Sequence, residues 1–322
     1  MIQTVRGPIN PLNLGKTLGH EHFKWDCDDS YAQTMYFEKN YNDQDIAQTY
    51  EVLMPLLKDL KRSGCNAVVE ASPPIGGQNL KLLSKLSHAL DLHIIPSTGM
   101  NILKSVYPML EDHFVDQMSN QWIKDFNDGM DVQEGIVIRP GYIKLLVEKG
   151  QLQPVDRDLL LAAVKTSKVT GLPIHCHILE AKFVPPILDL VEEAGLDLRK
   201  FLWAHADKES NKDMIDYVFD RGAWIGFDII RKDLHEEKLD LLSWALDQGY
   251  GKYILLSQDY DFYEEYSQYG DQHACSSFFD IFIPKCIEAG IDKERMDKLI
   301  TANPACFYNI VNEGPSCAYP KG

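Results

Sequence analysis

Apolar and β-branched residues gather in eight short runs along the chain: 17–23 (TLGHEHF), 66–72 (NAVVEAS), 93–99 (HIIPSTG), 142–147 (YIKLLV), 173–178 (PIHCHI), 201–206 (FLWAHA), 224–229 (WIGFDI) and 253–259 (YILLSQD). Runs of this length, bounded by turn residues, predict buried strands. Between them apolar residues recur at helical spacing, as in 47–63, 79–90, 155–170 and 183–194, commonly closed by a glycine before the next strand. The predicted order is strand then helix, eight times over. A closed parallel (β/α)8 TIM barrel satisfies that order best, with a doubly wound open sheet as the alternative. No linker, composition break or short repeat interrupts it, so one domain is expected over 1–322, with a lead-in over about 1–16 and a tail over about 309–322.

Composition narrows the function classes. The 322 residues are 45% hydrophobic and 25% charged, enough apolar material for a sizeable core. The 32 basic and 48 acidic residues leave a net charge of −16, and no basic cluster is interleaved with aromatics. That balance argues against nucleic acid or an anionic membrane as partner and for a small-molecule substrate, with the chain acting alone or as a homodimer. Seven cysteines (27, 65, 176, 275, 286, 306 and 317) are scattered without a C-x-x-C pair, so reduced cytosolic thiols are expected rather than a disulfide framework or a zinc ribbon. The N-terminus has no apolar leader segment, and no stretch approaches the roughly 20 apolar residues needed to span a bilayer. A cytoplasmic protein is therefore expected.

The first run carries the first chemical clue, L-G-H-E-H-F-K at 18–24. Side chains alternate along a strand, so His20 and His22 share one face and Glu21 takes the other. A barrel assembles its active site at the C-terminal ends of its strands, and there the sequence supplies the pair's partners. His20 and His22 end the first run, Lys144 lies in the fourth, His177 closes the fifth, His205 the sixth and Asp259 the eighth. Taken singly, each histidine is more often a hydrogen-bonded residue than a ligand. Convergence at one mouth changes that, and the nitrogen and oxygen set suits zinc, manganese, cobalt or iron rather than calcium. Lys144, buried beside cations, would have a lowered pKa, and a neutral amine can add carbon dioxide to form a carbamate whose oxygens bridge two metals.

Other candidates fall away. His175 shares a face with His177 but sits about 6.6 Å nearer the barrel floor, which assigns it to the core or to support behind the ligands. Cys176 alternates away from His177 and packs rather than reacts. His88, His93, His113, His235 and His273 have no partners identifiable in the sequence. The glycine pair at 76–77 lacks the spacing of a phosphate loop, and H-E-H-F-K is not the H-E-x-x-H of a zinc protease.

From the lead-in TVRGPINPLNLGKTLGHEHF through GYIK, GLPIHCH, WAHAD, WIGFD and LLSQD to the closing TANPACF, the chain resembles the phosphotriesterase-like branch of the amidohydrolase superfamily. The resemblance implies two divalent metal ions, zinc foremost. His20, His22 and Asp259 would hold the more buried ion and His177 and His205 the more exposed one. Lys144, as N6-carboxylysine, would bridge them together with a hydroxide. It further implies hydrolysis, with Asp259 passing a proton from the attacking water to the leaving group. Asn101, after the third run, resembles the sugar-lactone branch. Arg231 and Lys232 follow the seventh run, where some members hold a substrate phosphate. The stretch 260–270 (YDFYEEYSQYG) is instead acidic and aromatic, and reads as a surface lid or a sugar-stacking wall. The expected activity is a metal-dependent lactonase opening a carbohydrate-type lactone. A phosphotriesterase or other phosphoester hydrolase, and a non-catalytic ligand-binding barrel, are the alternatives.

Overall fold

A computed structural model describes residues 1–25, 42–99, 113–209, 211–270 and 275–310. All eight apolar runs form strands in the predicted order. Near the N-terminus β1 (Ile2–Thr4) and β2 (Gly7–Ile9) make an antiparallel hairpin, and β3 (Thr17–Glu21), β4 (Ala67–Glu70) and β5 (His93–Ile95) then form a parallel ladder in that order. A second parallel ladder runs β6 (Ser97–Gly99), β9 (Tyr142–Val147), β10 (Ile174–Ile178), β11 (Phe201–Ala204), β12 (Trp224–Phe227) and β13 (Ile254–Leu256). Only Pro96 separates β5 from β6, and a proline has no N–H to give the ladder. The run 93–99 thus serves both ladders. Backbone bonds tie the ends of β3 and β13: the Asp259 N–H donates to His20 O at 3.2 Å, and the His22 N–H to Tyr260 O at 2.7 Å. The chain is an α/β protein built on parallel strands, as the alternating pattern predicts.

A second hairpin joins β7 (Asp131–Gln133) to β8 (Ile136–Ile138), turning on Glu134 and Gly135 with φ of 50° and 79°. Both hairpins depart from the predicted elements, because three-residue strands are too short to carry a periodic signal. The four predicted helices are present as α1 (Asp43–Arg62), α2 (Leu80–Leu90), α4 (Pro154–Thr170) and α5 (Val184–Glu193), with α3 (Phe114–Asp128) between α2 and α4. The stretch after Asp259 is not an open loop. Asp261 accepts from the Glu264 N–H and starts a helix, Phe262–Tyr269, whose Phe262 is fully buried edge-on to Phe23. No helix among the described residues is long and apolar enough to cross a membrane. Cys65, Cys176, Cys275 and Cys286 are buried free thiols, while Cys306 is disulfide-bonded. That corrects the expectation of wholly reduced cysteines, since scattered spacing alone does not disclose which sulfurs meet.

The strands bury both faces, with period two. Val68, Phe201, Trp203, Ile254 and Leu256 join the large core against the helices, while their neighbours Ala67, Val69, Leu202, Ala204 and Leu255 join a second, inner core. Ile2, Leu14, Ile95, Tyr142, Trp224, Phe307 and Tyr308 complete that inner core. The packing where β6 meets β9 leaves no slack. A Cβ on Gly99 (φ 116°) would lie 2.1 Å from the Lys144 carbonyl oxygen. Gly99→Ala is expected to cost about 3 kcal/mol through overpacking on rigid backbone, read as a fall in Tm. Gly135→Ala, at a positive φ with open space around it, should lose only the roughly 1–2 kcal/mol of a left-handed non-glycine residue.

Candidate metal centre

Three parallel strands and two sharp turns bring the six expected residues together. His20 lies in β3, His22 just beyond it, Lys144 in β9 and His177 in β10, while His205 and Asp259 follow β11 and β13. The Lys144 Nζ is 3.1 Å from His20 Nε2. Asp259 Oδ1 lies 3.4 Å from both His20 Nε2 and His22 Nε2, and its Oδ2 is 3.8 Å from His205 Nδ1. His205 Nε2 faces His177 Nδ1 at 2.6 Å. His205 and Asp259 both adopt left-handed backbone, with φ of 64° and 53°. Non-glycine residues hold that conformation only when their surroundings over-determine it, and such strain clusters at functional sites.

The surroundings are visible. Glu21, on the face opposite the histidines, is fully buried and accepts from Ser257 Oγ at 2.7 Å and from the N–H groups of Gln258 and Tyr260 at 2.9 Å. It therefore clamps the turn that carries Asp259. Arg231 donates to the Asp259 carbonyl oxygen and stacks over Tyr260, with its guanidinium 5.0 Å from the ring centroid. Asp228 accepts from His205 Nδ1 at 2.6 Å and from the His205 N–H at 3.0 Å, and its Oδ2 lies 3.4 Å from His20 Nδ1. Its fold-back needs Gly226, where a Cβ would come within 2.4 Å of Asp228 Oδ2. His22 is fixed from behind by Ser72 Oγ, 2.8 Å from its Nδ1.

Burial dominates the electrostatics. It pushes the pKa of His20, His175 and His177 well below the ordinary histidine value, so their imidazoles are neutral and offer lone pairs. Burial also lowers the Lys144 amine to about 8, and among the described residues its one hydrogen-bond partner is His20. For Asp259 burial works the other way, yet His205 and the hydrogen bond from His22 outweigh it and hold the carboxyl well below the usual range. Glu21 is raised by burial to about 8 despite its three donors. His177 Nε2 is buried with no partner among the described residues. Neutral imidazoles, an ionised carboxylate and an orphaned ring nitrogen around one space fit divalent cations, and His20, His22 and Asp259 bring one donor atom each to within 4.8 Å of the others.

The centre opens into a cavity of about 260 Å³. His22, Lys144, His177 and Asp259 form its base, and Trp25, Pro73, Leu145, Leu146, Leu179 and Glu148 its wall. Neither Arg231 nor the exposed Lys232 belongs to that wall, and Asn101 and His273 lie outside the described residues.

A signature of the phosphotriesterase family matches residues 1–308. The chain belongs to the phosphotriesterase family. Its relatives are distant but nearly full-length. A "phosphotriesterase-related protein" of Nematostella vectensis is 23% identical, with 94% of this chain aligned to 97% of that protein. An "N-acetyltaurine hydrolase" of Xenopus tropicalis is 22% identical over 94% and 96% of the two chains. A "phosphotriesterase homology protein" of Escherichia coli (strain K12) is 23% identical over 91% and 98%. The protein is a hydrolase, in a family of binuclear metal hydrolases, and the donor set described above suits that membership.

Sequence reasoning assembled the six donor residues but passed over Asp228, Glu21 and Tyr308. Asp228 left a signal, a carboxylate at the end of the seventh run, one of three runs to which no ligand had been given. Glu21 and Tyr308 left none, because their partners lie hundreds of residues away in the chain.

Proposed function

We propose that this single-domain protein is a closed (β/α)8 barrel that hydrolyses a small carbonyl compound, a lactone first, with two divalent metal ions, zinc foremost. The observation that carries the reading is the convergence of His20, His22, His177, His205, Lys144 and Asp259 at the ends of parallel strands, with His22, Lys144, His177 and Asp259 lining one cavity. The closed barrel is supported by the run 93–99, shared between the two ladders, and by the backbone bonds from β3 to the turn after β13. His20, His22 and Asp259 would hold one ion, His177 and His205 the other, and Lys144, as N6-carboxylysine, would bridge them. Cations bound there supply Lewis-acid polarisation of the scissile carbonyl and lower the pKa of a water.

The remaining steps fall to the chain's own residues. Asp259 Oδ1, 3.4 Å from two imidazole nitrogens and open to the cavity, is placed to take the proton of the attacking water and return it to the leaving group. Glu21 and Arg231 hold the Asp259 backbone, so the carboxylate needs little reorganisation. Trp25, Leu145 and Leu146 supply an apolar wall, and Glu148 at the rim favours substrates with hydroxyl or cationic groups over anions. Asn101 and Lys232 are proposed as outer substrate contacts, whereas Arg231 acts through Asp259.

A second reading, amide hydrolysis, is favoured by the relatives whose names record N-acetyltaurine as substrate. Turnover of a panel of sugar lactones, N-acyl amides and phosphotriesters by protein loaded with zinc or manganese in bicarbonate separates the readings. Lactone hydrolysis is expected to have the highest kcat/KM, and phosphotriesters as the preferred class would overturn the carbonyl assignment. Elemental analysis should approach two ions per chain at saturation. A single tightly held ion would sink the binuclear arrangement.

A further inference from the structure

The two nitrogens of His20 face different ways. Its Nε2 looks up to Lys144 Nζ and Asp259 Oδ1, while its Nδ1 looks down to His175 Nε2 at 3.0 Å and to Asp228 Oδ2 at 3.4 Å. An imidazole ligates through an unprotonated nitrogen, so the ligand depends on which atom carries the hydrogen. The chain fixes that choice from an unambiguous starting point. The Gly19 carbonyl is an acceptor only, and the Tyr308 hydroxyl donates to it at 3.2 Å. The hydroxyl oxygen is then free to accept the Nδ1–H of His175, 3.0 Å away. With its hydrogen on Nδ1, neutral His175 presents a lone pair on Nε2, which accepts the Nδ1–H of His20. Asp228 already receives the side chain and backbone N–H of His205, which leaves His175 the nearer acceptor for His20. Burial within the inner core, with Tyr142 at 5.5 Å from the His175 ring, shields this chain of bonds from water.

We infer that His175 and Tyr308 are positioning residues for the metal centre: together they hold His20 in the Nδ1–H tautomer, so that its Nε2 lone pair faces the site. The inference rests on the metal assignment proposed above, and it extends the site to the residue that directly follows the last described helix, Ala302–Phe307. Partners of this kind behind a ligand are typically worth about 10–100-fold in metal affinity.

The test uses the full chain and zinc as the probe. Nitrogen NMR of ¹⁵N-histidine-labelled, metal-free protein is expected to show His20 and His175 both protonated on Nδ1; an Nε2–H tautomer for His20 overturns the inference. Chelator competition with zinc should show two ions in the parent. In Tyr308→Phe, which keeps the ring packed on Phe307 and Tyr142, one ion should weaken by about 10–100-fold while the other is retained. His175→Leu should weaken the same ion. Unchanged zinc affinity in both variants, or equal weakening of both ions with a matching fall in Tm, overturns it, because a merely structural role would not separate the two ions. A parent that binds no zinc counts against the metal assignment itself, and the tautomer then decides this inference alone.

Discussion

Asp259→Asn is expected to lower kcat on a lactone by about 10²–10⁴-fold, the usual worth of a positioned general acid–base group, while at least one metal ion stays bound. The substitution keeps the shape of the side chain and one carbonyl-type oxygen, and removes only the basic site. The backbone around it should persist, because it is held by groups the change does not touch: the Asp259 N–H on His20 O, Arg231 on the Asp259 carbonyl, and Glu21 on the adjoining N–H groups. In the parent, the neighbouring imidazoles hold the carboxyl well below its usual range, so it is ionised at neutral pH. A substrate with a very good leaving group needs less proton delivery, so its rate should fall less than that of an ordinary lactone. Parent turnover in Asp259→Asn with both ions retained would leave Asp259 as a ligand only.

Lys144→Ala is expected to remove most activity and one or both ions, a loss larger than the roughly 10–100-fold typical of groups that merely support a ligand. The physical reason is charge. Lys144 is 4% exposed, and burial lowers its amine to about 8. A neutral amine can take up carbon dioxide, and the resulting carbamate supplies a further anion amid four imidazoles and the carboxylates of Asp259 and Asp228. Alanine removes that anion and opens a space beside His20, so formate or acetate at high concentration should restore part of the metal content and rate. Both ions retained at the parent rate would refute the carboxylysine assignment.

The sequence by itself determined which segments are strands and helices and which way their side chains point. Periodicity is a local property: the alternation that puts His20 and His22 on one face and Glu21 on the other needs only five residues of extended chain. The strand-end rule for parallel barrels located Lys144, His177, His205 and Asp259. Short-range signals failed where the elements were too short, as in the hairpins at 2–9 and 131–138, or where a cap outweighed composition, as Asp261 does at the start of the helix after Asp259. What only the tertiary structure decided is how the donor residues are held. Asp228 reaches His205 across 23 residues, Glu21 reaches Ser257 across 236, and Tyr308 reaches Gly19 across 289. A pattern of polar and apolar positions says that a side chain faces inward, but the register of neighbouring strands and the path of the closing helix set which atom it meets there. Hydrogen-bond partners, tautomers and the lowered pKa values all follow from those meetings, because burial and distance, not residue type, set their size.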